Sequence, residues 1–279
     1  MDGSAVTSPG HPVFERPPVA EVTLSVQFDP LDALHAAHIG RIWDRWADSY
    51  PRHEEHDELG PMPDEVTAVP LEAGVVFKIT DSTPLPRTWF LDGVGEHIVQ
   101  VQRDRLVLNW RRQDNGGYPH YTELLPQFRT VFETFEGFAS EHDLGRVMPN
   151  QCQVTYLNPI PLDGELGCPD GLPGLLEGWS GATSEPPSLG GGEASVRIRY
   201  PLIAEDEVLL GRLFVNAGTA IASDTNEPVL LMEMTARGRP IGDGLEGVVR
   251  FLDIGHDAIV TMFAALTTKT MQTRWGRQP

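Results

Sequence analysis

His256 is the side chain whose neighbours single it out most clearly. It shares a helical stripe with Leu245, Val249, Leu252, Ile259, Phe263 and Leu266, so an imidazole interrupts an otherwise apolar face. An imidazole titrates near neutral pH, and partial burial moves that titration. Two readings follow. The plainer one is a core histidine satisfied by a backbone carbonyl or a neighbouring side chain. The sharper one is a polar group aimed into a ligand pocket between helix and sheet. In that case Phe263, Tyr156 and Asn158 are the companion pocket residues, the last two from the segment Tyr156-Leu157-Asn158-Pro159. The plainer role for Asn158 is to satisfy turn backbone.

Other constellations are weaker. Gly242, Gly244 and Gly247 spell G-x-G-x-x-G at the start of the same helical stretch. A dinucleotide site needs a strand just before that motif and a parallel strand after the helix. Here Arg237-Gly238-Arg239-Pro240 intervenes, so a glycine-rich turn is the better reading. Arg237 and Arg239, beside free helix amides, are candidates for holding a small anion. His53-Glu54-Glu55-His56 and the pair His35/His38 have i, i+3 spacing, whereas zinc proteases use i, i+4 on a helix. Solvated histidines are expected, and no metal. A G-x-S-x-G elbow is absent, and Lys78 and Lys269 are the only lysines. No catalytic residue and no cofactor is expected.

These residues need elements to position them. Val22, Leu24, Val26 and Phe28 alternate with Glu21, Thr23, Ser25 and Gln27, which predicts a strand with one wet face. Asp29-Pro30 then predicts a cap and first turn for a helix that buries Leu34, Ile39, Ile42, Trp43, Trp46 and Tyr50 and stops at Pro51. Glu54 to Glu58 reads as an acidic connector. Strands are expected at Thr67–Thr80, Thr88–Leu91, His97–Gln102 and Leu106–Trp110, with hairpin turns at Asp92-Gly93 and Arg103-Asp104. A helix follows from Thr122 to His142, with Pro126 tolerated in its first turn. A strand from Gln151 ends in Asn158-Pro159-Ile160-Pro161. Beyond a Gly/Pro-rich insert at 163–192, with a small apolar knot of Leu172, Leu175, Leu176 and Trp179, come strands at Ala194–Pro201, Val208–Ala217 and Val229–Ala236.

The chain has 279 residues and a formal net charge of -19. That charge repels phosphate backbones and makes nucleic acid an improbable partner, unless a stripe such as Arg111, Arg112, Arg197 and Arg199 gathers. It favours basic partners. Cys152 and Cys168 lack metal spacing and read as free thiols. With no run of about 18 apolar residues there is no membrane span. No basic start followed by an apolar stretch is seen, and the expected location is cytoplasmic.

Two stretches carry a resemblance. One is Pro12-Val13-Phe14-Glu15-Arg16-Pro17-Pro18-Val19-Ala20-Glu21-Val22-Thr23-Leu24-Ser25-Val26-Gln27-Phe28-Asp29-Pro30. The other is His256-Asp257-Ala258-Ile259-Val260-Thr261-Met262-Phe263 with Trp275-Gly276-Arg277. With the central Tyr156-x-Asn158-Pro159 they resemble a sporadically distributed bacterial family recognised by sequence. The resemblance departs between Gly164 and Gly192. It implies an accessory role more than a named activity, and it marks His256, Asn158 and Trp275.

The order of elements repeats. Val22-Thr23-Leu24 leading to Pro30-Leu31-Asp32 is echoed by Val154-Thr155-Tyr156 leading to Pro161-Leu162-Asp163. The expected fold is α+β: a disordered leader at 1–11, then halves at 12–150 and 151–279 fused into one domain. Each half is a β-α-β-meander-α pseudo-repeat. Together they form one extended antiparallel sheet, saddle-like or helix-grip-like, with long helices on one face. The expected function is non-enzymatic protein–protein binding in an accessory bacterial system. The alternative is a small-molecule binder of helix-grip type, or an unassigned enzyme, with a pocket beside the last helix.

Overall fold

Period-two alternation becomes a sheet and period-3.6 stripes become its cover. A computed structural model describes residues 12–66, 85–113, 116–162, 172–178, 195–222 and 225–278. In chain order the elements are β1 (Glu21–Phe28), α1 (Ala36–Trp43), β2 (Arg52–His56), β3 (Arg87–Leu91), β4 (His97–Gln102), β5 (Arg105–Arg111) and α2 (His120–Glu141). Then come β6 (Pro149–Pro161), α3 (Leu172–Leu175), β7 (Ser195–Ile203), β8 (Leu209–Ile221), β9 (Pro228–Gly238), α4 (Gly244–Leu266) and α5 (Lys269–Arg274).

Among the described residues the strands form one nine-stranded sheet in the order β2-β3-β4-β5-β1-β6-β9-β8-β7. Every neighbouring pair is antiparallel. β1 and β6 pair at the centre. Each lies beside the last strand of its own half, β1 against β5 and β6 against β9.

The long helices share one face. Register sets Leu24 beside Leu108 and Val154, and Val154 beside Ala236. α4 lies on that row so closely that a Cβ added at Gly255 would sit 3.0 Å from the Ala236 Cβ. α2 sends Phe128, Phe132, Phe135 and Phe138 into the same core, all fully buried, with the Phe135 ring 5.6 Å from that of Phe28. Burying each such ring stabilises the fold by about 1.5–3 kcal/mol. The chain ends meet beyond α4. Trp275 packs on Phe263 (5.2 Å) and Phe14 (6.3 Å), and Phe14 bridges to Arg277.

Several expectations need correction. The first helix begins at Ala36 rather than at Asp29-Pro30. The Asp29 and Leu31 amides are taken by Met148 and Arg103 carbonyls, which draws that segment onto the sheet rim. It also ends at Trp43, with Trp46 and Tyr50 buried from the turns that follow. The acidic connector is in part a strand, since Arg52–His56 pairs with β3. Its charged side chains suit an edge, because they discourage pairing with another chain. Pro126 is the seventh residue of α2, beyond the first turn. β6 continues through Pro159 and Pro161. Pairing with β1 stops at Leu157, so the missing Pro159 N–H falls where β1 offers no register partner. The expected strand Thr67–Thr80, Trp179, most of the 163–192 insert and the leader at 1–11 lie outside the described residues.

Candidate functional site

Three phenols and an imidazole form a chain under α4. The Tyr156 hydroxyl, from β6, is 2.8 Å from His256 Nδ1 and 2.9 Å from the Tyr118 hydroxyl. Tyr121, from α2, stacks on the His256 ring at 4.0 Å and 5°, and donates to Asp253 at 2.9 Å. Burial pushes the Tyr118 phenol up to about 12 and carries Tyr121 and Tyr156 higher still. All three are therefore neutral donors at neutral pH and poor nucleophiles. Desolvation, reinforced by nearby Asp257, raises the Asp253 carboxyl above its ordinary value. The arrangement is a hydrogen-bonded strut between sheet and helix.

Of the four pocket residues named from sequence, three share a cavity, while His256 is bonded to Tyr156 but is not part of that lining. Tyr156, Asn158 and Phe263 line one cavity with Phe14, Val19 and Ile259, but its volume is about 40 Å³. That is room for a water or two and not for an organic ligand of ordinary size. Asn158 is 2 % exposed and donates to the Met232 carbonyl at 3.1 Å, so it satisfies sheet backbone rather than a turn.

The opposite face of the sheet is unlike any ordinary wet face. Register places Trp89, Gln100, Val107, Ser25, Gln153, Arg237 and Arg212 in one row across the strands from β3 to β8. Gln102, Arg105, Gln27 and Gln151 form the next. Ser25, Gln27, Gln100, Gln102, Arg105, Asn109 and Gln151 are all buried. Buried amides and a buried guanidinium need partners.

A segment of the chain supplies many of them. Residues 59–66 run across this face, and the sheet's side chains hold its backbone. Gln102, on β4, accepts from Leu59 N and donates to Leu59 O, both at 3.1 Å. Arg105, on β5, donates to Gly60 O at 2.7 Å. Gln27, on β1, accepts from Met62 N at 2.6 Å. Gln151, on β6, donates to Asp64 Oδ1 at 3.4 Å. Arg212, on β8, donates to Glu65 O at 3.2 Å. These contacts span from β4 to β8, five interstrand spacings of about 4.8 Å, a distance that eight extended residues at about 3.4 Å each just cover.

Two carboxylates of the strap meet three arginines. Glu65 lies 3.4 Å from Arg237 and 3.9 Å from Arg212, and Asp64 pairs with Arg239. The Glu65 side chain is 11 % exposed. Burial pulls Arg237 below its ordinary value, and Glu65 opposes that shift. The two sequence-named anion candidates, Arg237 and Arg239, are thus already holding carboxylates from the chain itself.

Beyond the strap the face opens. Arg197 and Arg199 on β7 are exposed, Arg199 sits over the Phe214 ring at 5.0 Å, and Asn216 and Glu233 are half-buried. An open groove of about 600 Å³ runs over Arg197, Asn216, Gly218, Leu231 and Glu233. Register places Arg111 in the same transverse row as Arg197, with Glu21 and Glu233 between them; Arg112 lies outside that row.

The remaining motifs take structural roles. Gly242 (φ +94°) and Gly244 (φ +56°) form a turn, and a Cβ at Gly247 would meet the Gly242 carbonyl at 2.2 Å. His53 packs on Trp43, and His56 on Trp89 and Glu54. His38 Nδ1 accepts from His35 N at 3.2 Å. Among the described residues no group of three or more His, Cys, Asp or Glu could hold a metal ion, and no helix is long and apolar enough to cross a membrane. Cys152 is a buried free thiol; Cys168 lies outside the described residues.

Sequence reasoning missed the strap. Its only signal was the run of Gln and Arg on the alternate positions of strands that read as plainly wet. No family model matches the chain, and no curated protein matches its sequence.

Proposed function

We propose that the protein is a non-enzymatic binding protein that holds a polypeptide partner on the open face of its sheet, over β7, β8 and β9. One observation carries this reading. The same face already holds an extended polypeptide, residues 59–66, by side-chain amides and guanidiniums directed at backbone atoms. Backbone-directed contacts do not depend on the bound side chains, so they suit recognition of a chain segment. Among the described residues the strap reaches β8 at Arg212, and a separate groove lies along β7–β9 at Arg197, Asn216 and Glu233.

The rival readings have less to stand on. Among the described residues, the cavity beside α4 that Tyr156, Asn158 and Phe263 line is about 40 Å³. A nucleic acid would meet Glu21 and Glu233 in the row that carries Arg111 and Arg197, on a chain of net charge -19.

Membership of the sporadic bacterial family belongs to the same proposal. It is supported by the packing of two quoted stretches on each other, Phe14 in the first against Phe263 and Trp275 in the second. Internal duplication is likewise proposed, on the matching placement of β1 beside β5 and β6 beside β9.

The test is a photo-crosslinking residue at Asn216, on the open face, with Ile254, exposed on α4, as control. Polypeptide adducts from position 216 and none from 254, in cells of origin, are the expected result. Adducts from neither position, or equally from both, would overturn the reading.

A further inference from the structure

Resting on the binding reading above, we propose that the partner segment is an extended, carboxylate-bearing polypeptide, and that Asp64 and Glu65 compete with it from within the chain for Arg212, Arg237 and Arg239.

The argument begins with cost. Arg237 and Arg212 have side chains only 22 % and 27 % exposed, and a guanidinium so covered needs a counter-charge or carbonyl oxygens around it. Arg237 donates to Gln153 Oε1 at 2.8 Å and meets Glu65 Oε1 at 3.4 Å. The Glu65 contacts at 3.4 and 3.9 Å are long for charge-assisted bonds, whose usual length is about 2.7–2.9 Å. The Glu65 carboxylate is therefore held at long range, while Asp64 pairs closely with Arg239.

Around it stand more groups of the same kind. Arg199 lies over one side of the Phe214 ring system at 5.0 Å, and Arg237 lies 5.7 Å from the same ring. Among the described residues Arg197 has no ion-pair partner; it lines the groove of about 600 Å³, which by register lies further along β7 and β8 than the Arg212 row and which Glu233 also lines. The Ser25 hydroxyl, on the same face, is buried without a hydrogen-bond partner among the described residues and has a proton to donate. A segment with an acidic side chain fits the cluster of Arg199, Arg212, Arg237 and Arg239, four cations against the two strap carboxylates, and Glu233 in the neighbouring groove confines the acidic contact to that cluster. A basic segment would set its charge against Arg197, Arg199, Arg212 and Arg237.

The net charge of -19 opposes an acidic partner at long range. At physiological ionic strength, however, the Debye length is about 8 Å, so contacts at 3–4 Å decide the outcome. The strap is a tethered competitor whose effective concentration is on the order of millimolar, which a partner in trans must overcome. Removing its carboxylates should therefore raise the affinity for a free acidic segment.

The experiment uses the full chain and a labelled peptide with the strap's own sequence, Asp-Glu-Leu-Gly-Pro-Met-Pro-Asp-Glu-Val, read by fluorescence anisotropy. The Asp64→Asn/Glu65→Gln variant should bind it about tenfold more tightly than the unaltered protein. Adding Arg212→Gln and Arg237→Gln should abolish that gain, and a peptide with amides in place of its four carboxylates should bind neither. Glu65→Gln alone should show the same direction, and thermal melts verify that each variant folds. Equal affinity before and after the strap substitutions would overturn the proposal. So would equal binding of the neutral peptide, or tighter binding of a polyphosphate of equal charge. If adducts form from Asn216 while the acidic peptide fails, the binding reading stands and the partner's chemistry is wrong. If both fail, both readings fall.

Discussion

The open face of the sheet has two unlike regions. Over β4, β5, β1 and β6 Gln102, Arg105, Gln27 and Gln151 are buried, and the strap is bonded to them. Over β8 and β7 the same strand face presents Arg197 and Arg199 exposed and Asn216 half-buried, beside an open groove. Strand parity is the same in both regions, and polar residues fill both. The difference is whether a chain segment lies on top. A polar sheet face is thus a matter of what covers it: under the strap the amides are internal structure, and among the described residues those over β7 and β8 are exposed or half-buried.

Substitutions can break or sharpen this contrast. The largest effect is expected at Arg105, which is 6 % exposed and donates to both Gly60 O and Gln27 Oε1. Arg105→Ala leaves Gly60 O without this donor and Gln27 Oε1 with the Met62 amide alone, and denaturant unfolding should show a loss of about 3 kcal/mol. A loss below about 0.5 kcal/mol would mean the strap contributes nothing to the covered region. Gln102→Ala removes both bonds to Leu59 and one to Asp104, and should cost about 1–2 kcal/mol in the same assay.

A smaller, pH-dependent effect is expected on the helix-covered side. Burial and Asp257 raise the Asp253 pKa, while its bond from Tyr121 works in the other direction. A carboxyl whose folded pKa is raised favours the fold most below its unfolded pKa, about 4, and that support is lost as pH rises through the folded value. Asp253→Asn removes this dependence. The unaltered protein should therefore lose stability relative to the variant as pH rises above about 4. Parallel pH profiles would refute the shift. The smallest effect belongs to the open region, where Arg197→Ala should change stability by less than about 0.5 kcal/mol while weakening partner binding.

Much of the architecture was legible in the sequence. Val22, Leu24, Val26 and Phe28 announced β1 because a buried row must alternate, and the Leu124-Phe128-Val131-Phe135-Phe138 stripe announced α2 because helical burial repeats at three and four. Turn chemistry was less transparent. Asp92-Gly93 carried the stronger signal, yet its loop runs to Glu96 and the positive φ belongs to Gly95, while the plain Arg103-Asp104 makes the two-residue hairpin. Of the candidate residues, His256 and Tyr156 meet as their positions suggested, but in a filled core. Arg237 and Arg239 were visible as cations, but their partners Asp64 and Glu65 lie far away in sequence, and only the fold brings them near. Ser25, Gln27 and Thr23 read as a solvated face because periodicity reports which positions alternate and not what covers them.

Residue-resolved hydrogen exchange tests the central claim most directly. If sheet side chains hold the strap's backbone, the Leu59 and Met62 amides should be protected in the unaltered protein. Gln102→Ala should release Leu59 and Gln27→Ala should release Met62, with the amides of β1 and β6 still protected. Exchange of Leu59 and Met62 at the rate of an unstructured peptide in the unaltered protein would contradict the account.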